Sequence, residues 1–211
     1  MSSSLAFLAF ESIVNKLTET RPLKIAEINK FLGTKKGAYP VDAPLFVTWN
    51  KNGKLRGCIG TFSALPLEEG VSKYALISAF DDERFQPISV LEISQLSVGI
   101  TILDNFVAIN DPQDWTIGTH GLKVLFKIEN RTHLGTFLPL VAEEQEWDHV
   151  ETLWNLLQKA GYRGVPLEKT IEFYESALEI HSMRLVRYEG VKVGATYEEY
   201  ADFRHKYSQA A

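Results

Sequence analysis

One cysteine occurs in the 211 residues, and it stands in Leu55-Arg56-Gly57-Cys58-Ile59-Gly60, two positions after an arginine and flanked by Gly57 and Gly60. If this segment is extended, alternate side chains share a face, so Arg56, Cys58, Gly60 and Phe62 lie opposite Leu55, Gly57, Ile59 and Thr61. Arg56 and Cys58 are then roughly 6.6 to 6.8 Å apart along the strand, close enough for a guanidinium to favour a thiolate in a partly dry site. Such a thiol could serve as a nucleophile or redox group, and the two glycines would let a ligand or another backbone approach. A free cysteine is also a common small hydrophobe of protein interiors, so the inert reading stands beside the reactive one.

A second cluster is Asp81-Asp82-Glu83-Arg84. Its three carboxylates follow the end of an expected helix, where carbonyl groups are already partly negative, so they need compensation. Arg84 is adjacent, and Arg56 could help if the helix folds back over the strand, giving a structural ion-pair network. The sharper alternative makes Asp82 or Glu83 a general base or cation ligand, which requires a raised pKa or open coordination. His120, between Gly118 and Gly121, and His149, in a first helical turn, could be general acids or bases. Five histidines with no close pair such as H-x-x-x-H carry no metal signature, and no metal is expected.

The elements that must position these groups are partly legible. Leu45-Phe46-Val47-Thr48-Trp49 is rich in strand formers, Asn52-Gly53 suits a tight turn, and Lys54 to Phe62 reads as the returning strand of a β-hairpin. Pro66, Glu68 and Glu69 open a helix that runs to about Phe80. Upstream, Ser2 to Ser4 offer caps for a helix from about Leu5 to Leu17. Downstream, Leu96 to Leu103 and Leu122 to Ile128 read as strands, with Thr132 to Leu138 pairing back on the second. Asp148 and Glu151 form a capping box before Val150, Leu153, Trp154 and Leu157, and Gly161 stops that helix. Trp154 is expected in the core, and Glu143 to Glu146 form a solvated rim. His181 to Tyr188 alternates as a late strand ending near Gly190, and Thr196 to Tyr207 reads as a terminal amphipathic helix. Adjacent hairpin strands and irregularly interspersed helices predict an α+β fold with a mainly antiparallel sheet and flanking helices.

Composition narrows the function classes. A formal charge of −5, with 22 Lys+Arg against 27 Asp+Glu, argues against a nucleic-acid binder. A single cysteine excludes an intrachain disulfide and the multi-thiolate zinc and iron–sulfur sites. The apolar run Leu5 to Phe10 has no basic residue before it and is followed by Glu11 and Asn15, which reads as a buried helix face rather than a membrane segment. The expected location is the cytoplasm, with the nucleus open to a chain of this size. Neither a phosphate-binding loop nor G-x-G-x-x-G nor G-x-S-x-G is present, so no cofactor is assigned.

The hexapeptide Leu55 to Gly60 resembles the hallmark of the AMMECR1 domain family, and Ala79-Phe80-Asp81-Asp82-Glu83-Arg84-Phe85 is similar to a second segment of it. Gly121-Leu122-Lys123-Val124, and the stretch from Leu138-Pro139 through Trp147-Asp148 to Lys159-Ala160-Gly161-Tyr162, extend the resemblance over most of the chain. One departure is Phe85-Gln86-Pro87, where many relatives carry Phe-Pro-Pro. The resemblance implies a single α+β domain over residues 1–211 with a larger and a smaller subdomain, and a cleft bordered by the hexapeptide. It also implies a pathway link to Memo-like proteins. Two readings of function follow. In one, Arg56, Cys58, Asp82, Glu83 and His120 act on a small molecule or a modified protein side chain, with Gly57, Gly60 and Arg84 lining the site. In the other, the hexapeptide is structural and the acidic loop presents a recognition patch to a partner protein.

Overall fold

A computed structural model describes residues 4–35, 37–180 and 182–210. Ser2 and Ser3, expected as caps, and His181, expected to begin a strand, lie outside the described residues. The described elements are α1 (Ser4–Thr18), α2 (Ile25–Leu32), β1 (Asp42–Lys51), β2 (Lys54–Pro66), α3 (Leu67–Phe80), β3 (Leu96–Ile109), β4 (His120–Ile128), β5 (Arg131–Phe137), α4 (Val141–Glu144), α5 (His149–Lys159), α6 (Thr170–Glu179), β6 (Met183–Thr196) and α7 (Tyr197–Ala210). Short 3₁₀ turns occupy Val90–Gln95 and Leu167–Lys169. Among the described residues the strands form a six-stranded antiparallel sheet in the order β2-β1-β3-β6-β4-β5, an α+β fold with flanking helices.

The chain divides into two compact units, Met1–Leu103 with Val191–Ala211, and Asp104–Gly190. In the first, the hairpin forms where the sequence places it. Asn52 and Gly53 both have positive φ, 50° and 77°, the geometry of a two-residue turn whose twist matches antiparallel strands. Leu45, Val47 and Trp49 are fully buried on one face, and the Trp49 indole donates to the Ala75 carbonyl of α3 at 3.0 Å. α1 is buried on nearly every side from Ser4 to Glu11, as expected of a helix without a polar stripe. Its buried carboxylate, Glu11, is satisfied by the Leu23 amide, the Tyr200 hydroxyl and Arg204, while burial raises its pKa. Full burial of side chains such as Phe10, Ile13 and Leu45 contributes roughly 1.5–3 kcal/mol each, enough to accommodate that one polar group.

The second unit has its own core, built from Leu122, Val124 and Phe126 of β4, Leu153, Leu156 and Leu157 of α5, and Tyr174 of α6. β4 and β5 pair from Leu122 opposite Phe137 to Ile128 opposite Arg131, and α5 begins with the expected Asp148–Glu151 capping box. Trp154 is half-buried and donates to the Val165 carbonyl at 3.0 Å.

Several features depart from the sequence reading, among them β3, which runs past Leu103 to Ile109, and the short α4. α2 and α6 arise where no start signal was read, since neither has a side chain capping its first turn from the usual Ser, Thr, Asp or Asn. β6 runs on through Gly190 to Thr196, because Gly194 lies against the Val98 carbonyl so closely that a Cβ there would sit 2.7 Å from it. β2 carries a bulge: Asn50 pairs with Leu55 but Trp49 pairs with Gly57, leaving Arg56 as the extra residue.

Candidate functional site

The bulge rearranges the hexapeptide. Beyond it alternation resumes, so Gly57 pairs with buried Trp49 and Cys58 pairs with Thr48 on the opposite, outer face. A Cβ on Gly57 would lie 2.0 Å from the Ser78 carbonyl oxygen, so only glycine lets α3 descend this far onto β2. Gly60 is likewise occupied, since its Cβ would meet the Leu45 carbonyl at 2.3 Å and the Phe46 ring at 2.4 Å. Both glycines therefore admit other parts of the chain, and neither is open to a ligand.

Arg56 does not share the alternation of Cys58 expected of an unbroken strand, and with the bulge its hydrogen bonds go to the loop after α3. Its Nε and Nη2 donate to the two carboxylate oxygens of Glu92 at 3.1 and 3.2 Å, and its Nη1 and Nη2 to the carbonyls of Gln86 and Pro87. Lys51 completes the group at 2.9 Å from Glu92. The Arg56 guanidinium, more than the Ser89 amide or Lys51, holds the Glu92 carboxyl down at about 2.

Arg84 instead serves the cysteine. β2 is an edge strand, and α3 brings Asp82 to that edge. The Cys58 amide donates to Asp82 Oδ2 at 2.9 Å, and Arg84 Nη2 donates to the Cys58 carbonyl at 3.1 Å. Arg84 Nε and Nη2 grip the same carboxylate at 2.9 and 2.7 Å. An ion pair thus stands where a neighbouring strand would, satisfying both backbone groups of one edge residue. The Arg84 guanidinium keeps the Asp82 carboxyl well below the usual carboxylate range. That is opposite to the raised value a general acid or base near neutrality needs, so Asp82 positions Cys58. Asp81 and Glu83 are exposed.

Cys58 is half-buried, and its sulfur shares a hydrogen with Thr48 Oγ1 at 3.2 Å. The Arg84 guanidinium also interacts electrostatically with Cys58. His120 belongs to the second unit, where its Nδ1 accepts from the Thr116 amide at 2.9 Å and its Nε2 lies 3.9 Å from Glu189. His149 also has a structural place there, 3.1 Å from the Trp115 carbonyl and with its ring 4.5 Å from the indole. Among the described residues no group of three or more His, Cys, Asp or Glu could hold a metal ion, and no helix is long and apolar enough to cross a membrane. A cavity of about 370 Å³ opens among Leu5, Ile25, Asn29, Tyr39, Pro40 and Leu67, and shares no lining residue with this site.

Thr48 and Glu92 were not among the site residues expected from the sequence. Glu92 had a signal, since Ser89 followed three residues later by glutamate is a capping-box spacing. Thr48 had none, because its pairing with Cys58 depends on the bulge.

The fold and this clamped edge cysteine define an α+β domain built around the Leu55 to Gly60 segment. A sequence model of the AMMECR1 family matches residues 6–180, and the chain belongs to that family. It is 39% identical to an uncharacterised protein of Kluyveromyces lactis, covering 94% of this chain and 93% of the relative. It is 36% identical to one of Saccharomyces cerevisiae over 94% and 88%. The crystal structure of an uncharacterised protein from Pyrococcus horikoshii is similar, with TM-score 0.66 and 26% identity over 90% of this chain and 89% of that one.

Proposed function

We propose that the outer face at Cys58 is an enzyme-like or small-ligand-binding site acting on a small molecule or a modified protein side chain, with the thiol as its reactive group. The observation that carries this reading is how the hexapeptide is used. Arg56, Gly57, Gly60 and the backbone of Cys58 each have a structural partner that accounts for them. The sulfur has only Thr48 as a hydrogen-bond partner among the described residues, and the residue is not fully buried. Its backbone is held at both ends, which suits a group that must be presented in one geometry. A free thiol of this kind works in a reducing compartment, the cytoplasm or the nucleus.

A second reading is supported by the exposure of Asp81 and Glu83, which would present an acidic patch to a partner protein. Native protein treated with iodoacetamide near neutral pH separates the two. Alkylation of Cys58 at a rate approaching that of the denatured chain supports the thiol site. Alkylation only upon unfolding returns Cys58 to scaffold and leaves the acidic patch. Under the thiol reading Cys58→Ala abolishes cellular rescue although the protein folds, and metabolites retained by wild type but not by this variant name the substrate.

A further inference from the structure

The cavity of about 370 Å³ in the first unit is bounded by Leu5 of α1, Ile25 and Asn29 of α2, Leu67 of α3 and the chain that joins α2 to β1. Asn29 follows Ile25 by one helical turn, so both lie on the same face of α2. The connecting chain is fastened near both ends. α2 closes at Gly33, whose φ is 65°, and the Thr34 amide donates to the Asn29 carbonyl at 2.9 Å. At the far end the Leu67 amide donates to the Val41 carbonyl at 2.9 Å, which holds Tyr39 and Pro40 beside the opening. Asn29 is the anomalous member of this lining. Its Oδ1 is buried without a hydrogen-bond partner, and its amide nitrogen makes no hydrogen bond to the described residues. Among the described residues Ser4 Oγ is the other such buried atom, and Ser4 does not line the cavity. A buried acceptor left unpaired costs the fold the desolvation of that group, so an idle carboxamide at a cavity wall calls for a partner from outside the chain.

We infer that this cavity is a second ligand site, separate from Cys58, and that it takes a small neutral amide, a primary carboxamide or a lactam, on the Asn29 side chain. The chemistry of Asn29 selects the class. A carboxamide sets an acceptor beside a donor, and a half-turn of its terminal torsion exchanges the two. A ligand whose own N–H lies beside its C=O pairs with Asn29 in either orientation through two N–H···O bonds. A ketone or ether brings acceptors alone and leaves Oδ1 unpaired. The lining also fixes charge and size. Of its described residues, Lys35 and Glu68 bring one charge of each sign, which favours a neutral molecule over a carboxylate or an ammonium. A volume of about 370 Å³ is at the small end for ligand pockets, and Leu5, Ile25 and Leu67 offer apolar surface to the body of a compact ring.

The test titrates the isotope-labelled full chain with δ-valerolactam and with cyclohexanone, a ring of the same size without the N–H. Nuclear magnetic resonance reads the Asn29 side-chain amide and the backbone amides of Leu5, Ile25 and Leu67. The lactam is expected to shift these resonances with millimolar affinity and to bind about tenfold tighter than the ketone, the effect of one hydrogen bond made rather than missed. Asn29→Ala, which leaves the cavity open, should bind both rings alike. Asn29→Leu, of similar size but without polar atoms, should raise the melting temperature of the ligand-free protein by about 2–4 °C, because the unpaired group is gone. Equal affinity for the two rings in wild type overturns the inference, as does a preference for the lactam that survives Asn29→Ala. Resonances that neither ring moves at tens of millimolar assign the amide to solvent and overturn it too. A lowered melting temperature in Asn29→Leu overturns it by showing that the side chain is already paired within the fold. The wild-type comparison decides the matter whether or not either variant folds.

Discussion

Two arginine–carboxylate pairs flank the same strand and do different work. At the bulge, Arg56 and Glu92 tie side chain to side chain and gather the Gln86 and Pro87 carbonyls, so every group there is consumed in fixing a loop. At the edge two residues further on, Arg84 and Asp82 tie side chain to backbone, filling both hydrogen-bonding positions of Cys58, a residue that is only half-buried. Similar chemistry therefore closes one region and presents the other. The difference follows from what each pair grips, since a carboxylate and a guanidinium bonded to the backbone leave the side chain outside the ion pair.

The comparison can be broken at its foundation first. Gly57→Ala, which sets a methyl group 2.0 Å from the Ser78 carbonyl, should lift α3 off the strand and cost about 3 kcal/mol or more in urea unfolding, taking the Asp82 clamp with it. Asp82→Ala should cost about 2–4 kcal/mol, because it strands the Cys58 amide and the Arg84 guanidinium together. It should also change the Cys58 alkylation rate, whereas a substitution at the bulge pair should not.

Glu92→Gln tests the other region. Held at about 2 in the folded protein against an ordinary 4.5, Glu92 stabilises the fold fully above pH 4.5 and loses that contribution as pH falls toward 2. Allowing for partial exposure, this is worth roughly 2 kcal/mol, so Glu92→Gln should lower stability by that amount at pH 7 and flatten its decline between pH 4.5 and 2. An unchanged acid limb would mean that Arg56 does not grip Glu92 in solution. The smallest effect belongs to Cys58→Ala, expected to cost under about 1 kcal/mol by thermal melting because the residue is only half-buried. A loss as large as that of Asp82→Ala would make the sulfur part of the scaffold and erase the contrast.

Much of the frame was legible in the sequence because its signals are local. Asn52-Gly53 adopts the positive φ angles its residue types favour, and Asp148 and Glu151 cap α5 through bonds spanning three residues. α2 escaped notice because its first turn is closed by Glu27 accepting from the Lys24 amide, with lysine where a capping residue would be sought. The site was half legible. Cys58, Asp82 and Arg84 stood out by type, but their division of roles did not.

Counting back from the turn without interruption pairs Trp49 with Arg56, which would put a guanidinium on the face where Trp49 is wholly buried. One extra residue in β2 places Gly57 there instead, where α3 needs a position without a side chain, and sends Arg56 to Glu92. The sequence by itself determined the hairpin, its turn and the residue types at the site, since short-range hydrogen bonds and backbone preferences suffice for these. Only the tertiary structure decided the register past the bulge, and with it which arginine holds Cys58 and which residue faces it. That choice depends on the fit of α3 against β2, a contact between chain segments some twenty residues apart that no local pattern encodes.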